Sequence, residues 1–521
     1  MPKLTIDGQE IIVEEGATIL AAAQRAGIAI PTLCHLPERP ALTSCFVCVV
    51  KVNGGARLLP ACATRVAEGM VVESDSEEVR TARRTALELL FSDHRGDCLG
   101  PCQSACPAHL DIPAMLRHIA AGRVREALIT VKAHIALPAV LGRLCPEFCE
   151  RACRRAHYDG AVTICALKRY VADVDLASSD PYLPACRPAS GQRVAIVGAG
   201  PAGLAAAYYL LQHGHACTLY DRREQPGGTL HEVVRDGRLP GEVLQAEIAR
   251  IAQLGATFRQ GVGVGDTLSV AGLRADYDAV LLTVGELSAD EASCLHVTLA
   301  GKGIHVDRHT LQTEHAGIFA AGSAVSPSPH VVRAVAEGRR AAYAIQRFLT
   351  GEAHDEPHFS VHMGRMTDAE ATTFAEGMSP TPRAVCCQDG LSAETAQQEA
   401  ARCLHCDCRK VADCRLRDYA IAYDVHAGKY AGEAHRRFER DTSQPAVVYE
   451  TGKCITCGRC VQIAEEARER LGLAFVGRGF AVRVAVPFSA TLADGLTTVA
   501  AACVAACPTG ALAHRETETA Q

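Results

Sequence analysis

Alternation of apolar and polar residues opens the chain. The segments KLTID and EIIVEEG read as two short strands, and Asp7-Gly8 between them is a hairpin signal. The stretch ATILAAAQRAG then changes to helical composition and stops at Gly27. From Asp111 to about His134, apolar residues such as Ile112, Met115, Leu116 and Ile119 recur at three-to-four spacing, which predicts helix. Leu176 to Ser190 is rich in Ser and Pro and reads as a linker. Arg193 to about Thr350 alternates strand-like and helix-like segments, the signature of an α/β domain. Gly351 to Ala384 reads as a polar connector, and SAETAQQEAAR as a helix ahead of the last cysteine groups. The uncharged run Val194 to Leu211 is long enough to suggest a membrane helix, but Gly198, Gly200, Pro201 and Gly203 divide it into strand, turn and helix, so no membrane span is expected.

Composition narrows the function classes. With 521 residues there is room for about three or four domains of ~150 residues each. Lys and Arg number 53 against 59 Asp and Glu, a net charge of −6, so no basic field would draw in nucleic acid or an anionic membrane. The 25 cysteines are the outlier. The opening MPKLTIDGQE has no basic and apolar leader, so a secreted disulfide framework is not expected. In a reducing, cytoplasmic setting, cysteine groups point to metal.

The groups differ in what their spacing can hold. Cys34, Cys45, Cys48 and Cys62 stand as C-x10-C-x2-C-x13-C after the hairpin and helix. Thiolates suit iron–sulfur clusters, with a zinc knuckle as the alternative. The spacing resembles the N-terminal 2Fe–2S domain of the large iron–sulfur subunit of NADH:quinone oxidoreductase (complex I) and of related hydrogenase subunits. A second group holds Cys98, Cys102, Cys106-Pro107, Cys145-Pro146, Cys149, Cys153 and Cys165. A helix started by Pro146 would set Cys145, Cys149 and Cys153 on one face, yet eight residues rise ~12 Å, too far for three corners of one cubane. Two clusters are therefore expected, with Cys153 serving a different one from Cys145 and Cys149. A cysteine followed by proline often serves the partner cluster, so Cys106 should cross over too.

The segments CQSACPAHLDIP, LCPEFCERAC and VTICALKRY resemble the N-terminal domain of the glutamate synthase small subunit and of dihydropyrimidine dehydrogenase, which holds two 4Fe–4S clusters. In that family the first stretch is C-x2-C-x4-C-x3-C-P; here it is His94-x3-Cys98-x3-Cys102-x3-Cys106-Pro107. The resemblance implies His94, Cys98, Cys102 and Cys153 for one cluster and Cys106, Cys145, Cys149 and Cys165 for the other. A solvent-facing His94 is the alternative. The third group, Cys403, Cys406, Cys408 and Cys414, is compact, and is read as a fourth quartet or as a zinc or partly free set. Its ending, Cys414-Arg-Leu-Arg-Asp418, resembles the end of complex I's His/Cys cluster motif, whose H-x3-C start appears at His94 and Cys98. The simplest account is a complex I-like chain interrupted by a glutamate-synthase-like insert. In the last group, Cys454, Cys457 and Cys460 are closed by the remote Cys507, with Cys503 as competitor; CITCGRCV and CPTGAL again resemble the complex I subunit. Cys186, Cys217, Cys294, Cys386 and Cys387 have no quartet.

Arg193 begins VAIVGAGPAGLAAAYYLLQHGHACTLYDRREQPGG, a strand, glycine-rich turn, helix and second strand. Gly198 permits the turn, Gly200 the approach of a pyrophosphate, and Gly203 close helix–sheet packing, with Ala199, Pro201 and Ala202 between and around them. Asp221, followed by Arg222, is placed to meet a ribose hydroxyl. Gly228-Thr229 and GIFAAGSAV, containing Gly322 and Ser323, resemble the FAD domain of the glutamate synthase family. That family has Asp where Ser323 stands, and inserts an NAD(P)H unit where this chain has only the short stretch from Gly285 to Gly317. His354, His358 and His362 recur every four residues in the connector and read as linker rather than as a zinc site.

The expected fold is multidomain α+β and α/β. It comprises a β-grasp 2Fe–2S ferredoxin (residues 1–92), an α-helical two-cluster domain (93–185), a Rossmann-like FAD domain (190–352), a linker (353–388), a compact 4Fe–4S segment (389–430) and a C-terminal ferredoxin-like cluster domain (431–521). The resemblances imply one FAD, one 2Fe–2S and four 4Fe–4S clusters in an electron-transfer subunit of a cytoplasmic oxidoreductase. Its partners would be an FMN- and NADH-binding subunit like the complex I NADH module, and a further redox subunit or ferredoxin. A self-contained NAD(P)H-dependent flavoprotein and a zinc-bound scaffold are the competing readings.

Overall fold

The computed structural model describes residues 1–265, 268–352, 359–364, 366–375, 380–385, 390–432 and 438–515. Two compact units emerge, each discontinuous in sequence. The first comprises the described residues of Met1–Leu99, Pro357–Glu376 and Cys406–Gln521, the second those of Gly100–Glu356 and Gly377–His405. His354, His358, Cys386 and Cys387 lie outside the described residues.

In the first unit, a five-stranded sheet runs in the order Gln9–Ile12, Lys3–Ile6, Met70–Glu73, Val49–Val52, Leu58–Pro60. Lys3–Ile6 lies parallel to Met70–Glu73, and the other pairings are antiparallel. The expected hairpin forms at Asp7-Gly8, both left-handed at φ 49 and 83°, with Ile6 opposite Gln9. Thr18 caps helix Ile19–Arg25 by accepting from Ala21 N–H. Its apolar face packs Ile19, Leu20, Ala22 and Ala23 on Leu4, Ile6, Val50 and Val72, which completes a β-grasp core. The C-terminal part of this unit pairs Val447–Glu450 with Arg440–Asp441 and Leu512–His514, all antiparallel. Helices Arg459–Glu466 and Ala500–Ala506 share their core with that sheet.

The second unit begins as helices and ends as a parallel sheet. The helical expectation from Asp111 is met by two helices, Ile112–Ala120 and Val124–His134, divided at Gly122, whose φ is 73°. The expected helix from Pro146 is only Phe148–Arg151, because Glu147 before it is left-handed (φ 59°). Cys145 and Cys153 are both extended, so the three cysteines do not share a helical face. The sheet order is Ile318–Ala320, Ala279–Leu282, Arg193–Val197, Ala216–Asp221, Thr257–Gln260, all parallel. Every residue of Ala279–Leu282 is buried, as expected of a strand covered on both faces. Helices Pro201–Gln212 and Val331–Thr350 pack together so closely that a side chain at Gly338 would meet the Ala202 carbonyl at 2.1 Å. Helical part and sheet share one core, from Ile112 and Leu141 to Leu204, Leu281 and Phe319.

Among the described residues no single helix is long and apolar enough to cross a membrane. Val124–His134 and Pro138–Leu144 reach the length only as a pair bent by 83°, and their apolar residues Leu128, Val131, Val140 and Leu141 are core residues.

Candidate redox sites

None of the 23 described cysteines is in a disulfide, and all but Cys186, Cys217 and Cys294 fall into groups. In the first unit, Cys34, Cys45, Cys48 and Cys62 are almost fully buried at 1, 5, 2 and 2% exposure. They come from the loop after the first helix and from the rim of the sheet. Cys45 donates to Cys34, which holds the Cys34 thiol down at about 5; the Cys62 hydrogen bond likewise holds Cys48 at about 7. The Cys48 and Cys62 sulfurs are 3.4 Å apart. The same interactions push Cys45 and Cys62 up. Four mutually facing thiols in an apolar enclosure suit a cluster that binds as thiolates.

Cys454, Cys457, Cys460 and Cys507 line one small cavity with Tyr449, Pro508 and Thr509. Gly458, at φ 76°, turns the loop so that Cys460 enters helix Arg459–Glu466. Burial, followed by the neighbouring thiols, pushes Cys457 and Cys460 up. Cys503 does not line the cavity. It is wholly buried in the adjoining core, with its thiol 3.7 Å from the Cys460 carbonyl.

His94 and Cys98 belong to the first unit, as do Cys408 and Cys414, whereas Cys102 and Cys153 belong to the second. In the first unit the Cys408 N–H donates to the Cys98 carbonyl at 3.3 Å. Burial raises the Cys98 thiol, with Cys408 adding to the effect. Cys414 is pushed up to about 12 by burial and then by Cys408 and Cys98. Gly510 lies against this group: a side chain there would meet the Cys408 sulfur at 2.3 Å. Lys453, paired with Glu450, faces Cys408 and also His94. Burial, then Lys453, lowers His94 to about 4, and its Nδ1 is sealed from solvent with no hydrogen-bond partner. A neutral imidazole with an unused buried nitrogen is what a metal ligand needs.

In the second unit, Cys106, Cys145, Cys149 and Cys165 share one core, and the Lys168 ammonium is 4.0 Å from the Cys165 sulfur. Cys145 is raised by the hydrogen bond it gives Cys165, then by burial. The Cys165 N–H donates to Glu150 Oε1 at 2.8 Å, fixing the start of helix Ile164–Leu176. Cys403 belongs to the same core, against which Cys102 and Cys153 also pack. The group Cys403, Cys406, Cys408 and Cys414 is thus divided: Cys408 and Cys414 face Cys98, and Cys403 packs in the second unit's core. Cys406 is partly buried. His362 is half exposed and 3.9 Å from Asp97. Among the described residues, no three His, Cys, Asp or Glu side chains close on a single ion.

The glycine-rich turn of the second unit opens on a cavity of about 770 Å³. Gly198, Gly200, Pro201, Ala202, Asp221, Arg222, Gly228, Thr229 and Ser323 line it, whereas Ala199, Gly203 and Gly322 are buried beside it. Gly198 has φ 104°, and a side chain there would meet the Thr283 carbonyl at 2.3 Å. Asp221 accepts from Ala199 N–H at 2.7 Å and Arg223 N–H at 2.8 Å, which braces the turn against the second strand. Two residues unforeseen in the sequence matter here. His330 lines the cavity, and its ring meets Phe148 edge-on at 5.2 Å, immediately before Cys149 in the chain. Arg151 and Arg333 both sit over the Phe148 ring. No local motif marks His330; only its place at the start of Val331–Thr350 brings it to the cavity.

Four family models match the chain. They are a 2Fe–2S iron–sulfur cluster binding domain over residues 2–77, domain II of dihydropyrimidine dehydrogenase (4Fe–4S cluster) over 93–179, an NAD(P)-binding Rossmann-like domain over 196–255, and the ferredoxin-like domain of NADH-quinone oxidoreductase subunit 3 over 444–513. Among similar proteins, the NADP(+)-dependent formate dehydrogenase subunit beta of Moorella thermoacetica is 39% identical over 206 residues, or 36% of this chain and 29% of that protein. The NADPH-Fe(3+) oxidoreductase subunit beta of Geobacter sulfurreducens (strain DL-1 / KN400) is 39% identical over 189 residues, 36% of this chain and 28% of that one. The NAD-dependent dihydropyrimidine dehydrogenase subunit PreT of Escherichia coli K12 is 39% identical over 188 residues, 36% and 45% respectively. The chain spans less than half the length of each of these relatives. The resemblances to dihydropyrimidine dehydrogenase and to the complex I subunit, first read from cysteine spacing, recur in these matches. The chain therefore joins a 2Fe–2S ferredoxin-like domain, two kinds of 4Fe–4S domain and a Rossmann-type dinucleotide domain in one polypeptide.

Proposed function

We propose that the chain is the iron–sulfur and flavin electron-transfer subunit of a multisubunit, cytoplasmic, NAD(P)-linked oxidoreductase. The observation that carries this reading is the contact from the dinucleotide cavity through His330 and Phe148 to Cys149, one of the four cysteines that share one core. A flavin supplies two-electron chemistry that can be released in single electrons, and clusters relay single electrons. The protein's part is to hold the cavity and a cysteine quartet in contact within one packed core.

FAD is the preferred occupant. Gly198, Gly200 and the start of helix Pro201–Gln212 suit a pyrophosphate, and Asp221 suits a ribose. The ligand sets that the geometry favours are Cys34, Cys45, Cys48 and Cys62 for a 2Fe–2S cluster, and Cys454, Cys457, Cys460 and Cys507 for a 4Fe–4S cluster. His94, Cys98, Cys408 and Cys414 form a second 4Fe–4S set and Cys106, Cys145, Cys149 and Cys165 a third. Cys102, Cys153 and Cys403 remain for a fourth.

Partners follow from the same reading: an FMN- and NADH-binding subunit, and a further redox subunit or ferredoxin. The test is anaerobic mixing of the isolated chain with NADH or NADPH. Flavin should stay oxidised with either nucleotide alone and be reduced once the NADH-oxidising partner is added. Rapid reduction of the isolated chain would instead establish a self-contained NAD(P)H-dependent flavoprotein, and a colourless zinc-loaded chain would establish a scaffold.

A further inference from the structure

Lys168 is 4% exposed and stands one turn into helix Ile164–Leu176. Its Nζ is 4.0 Å from the Cys165 sulfur, and Cys106, Cys145 and Cys149 belong to the same core. No carboxylate among the described residues lies within ion-pair reach of it. Glu150 shares these surroundings but is bound by Arg383 and by the Cys165 N–H.

A cation this deeply buried needs an opposing charge. The contrast within the same chain is Lys453. It is equally buried beside Cys408, but its charge is matched by Glu450. Among the described residues Lys168 has no carboxylate paired with it, and the sulfur in contact with its ammonium is that of Cys165. A cluster held by thiolates is anionic, and its negative charge grows by one on reduction. An unmatched cation therefore stabilises the reduced state more than the oxidised one.

We propose that Lys168 is a positioning residue whose fixed charge raises the reduction potential of the cluster bound by Cys106, Cys145, Cys149 and Cys165. The proposal rests on that ligand set as assigned under the proposed function. It makes the quartet beside Phe148 a readier acceptor of single electrons than the same four thiolates would be without the cation.

The test is a redox titration of the full chain followed by low-temperature electron paramagnetic resonance. A Cys165→Ala variant first identifies which component belongs to the quartet; loss of no component refutes the ligand set, not the role of Lys168. With the component identified, Lys168→Met should lower its reduced-to-oxidised ratio at fixed solution potential at least tenfold, which is 59 mV for a one-electron couple. Lys168→Arg should restore it to within a factor of about three, and the other components should not move. Lys168→Gln serves in place of Lys168→Met if the latter loads poorly. An unchanged potential in the neutral variant overturns the proposal. So does failure of both neutral variants to hold the cluster, since the charge would then be a condition of assembly rather than of potential.

Discussion

Two glycines of the same turn separate binding from folding. A methyl group at Gly200 meets nothing nearer than the Gly228 Cα at 3.9 Å, and Gly200 has φ −78°, which alanine adopts freely. Gly200→Ala should therefore leave the stability of the flavin-free chain within about 0.5 kcal/mol. The new methyl projects where a pyrophosphate must approach the backbone, so FAD affinity should fall at least tenfold, about 1.4 kcal/mol. Gly203 is the opposite case. A Cβ there would stand 2.0 Å from the Gly198 carbonyl oxygen and 2.8 Å from Thr283 Oγ1, which is itself bonded to the Val197 and Gly198 carbonyls. The obstacle is backbone and cannot swing aside, so Gly203→Ala should cost about 1–3 kcal/mol before any ligand is present. At roughly 2–4 °C per kcal/mol this is a fall of several degrees in the flavin-free unfolding midpoint. The assay is thermal unfolding of the flavin-free chains by circular dichroism, with FAD titration by fluorescence quenching. The midpoint is the readout, since a two-unit chain does not yield one free energy. Undiminished FAD binding by Gly200→Ala would refute the placement of the pyrophosphate. A Gly203→Ala chain as stable as the wild type would refute the packing argument.

The ligand regrouping is tested by removing single side chains. Cys98→Ser and Cys408→Ser should alter one and the same paramagnetic component, and Cys102→Ser a different one. His94→Ala should change the spectrum of the first component and lower cluster retention, while leaving the 2Fe–2S signal intact. Glu450→Gln strands Lys453 and Arg440, which are 2% exposed and partly buried, beside a lost counter-charge, and should lower the midpoint of urea unfolding. Burial works against the Glu450 carboxylate, but Lys453 and Arg440 hold it down at about 2. Its contribution is thus complete above the ordinary carboxylate range and is lost as pH falls toward 2, a loss that the Gln variant should not show. Phe148→Leu should slow reduction of the quartet's cluster after flavin photoreduction, with flavin and iron contents unchanged. An unaltered rate would remove the His330–Phe148 contact from the path.

What was legible in the chain, and what was not, divides by the range of the interaction. The Asp7-Gly8 hairpin, the helix ending before Gly27, the glycine-rich turn and the Cys34, Cys45, Cys48, Cys62 group all depend on residues near one another or on one sheet, and spacing exposes them. The short helix at Phe148 did not show, because the left-handed Glu147 that limits it has no sequence signature, and a proline at 146 suggested a longer helix. His330 was invisible for a related reason: its role comes from where a long helix begins, not from its neighbours in sequence.

The Cys98 assignment is the more instructive case. Local spacing joins Cys98 to Cys102, four residues on, and a family pattern makes that pairing look complete. Spacing limits only which ligands can be close, however, and a distant cysteine costs a cluster little once the fold has brought it in. The H-x3-C half at His94 and the C-x5-C half at Cys408 and Cys414 were both readable, but nothing local said that they meet. The unit boundaries supply the reason. The second unit opens at Gly100, two residues after Cys98, and its last described stretch ends at His405, three before Cys408. An insert entering between the two halves of one motif would leave each half's spacing intact and separate them only in sequence. The proposed ligand set is consistent with that pattern: the Cys408 N–H reaches the Cys98 carbonyl, and Gly510 leaves room for the Cys408 sulfur.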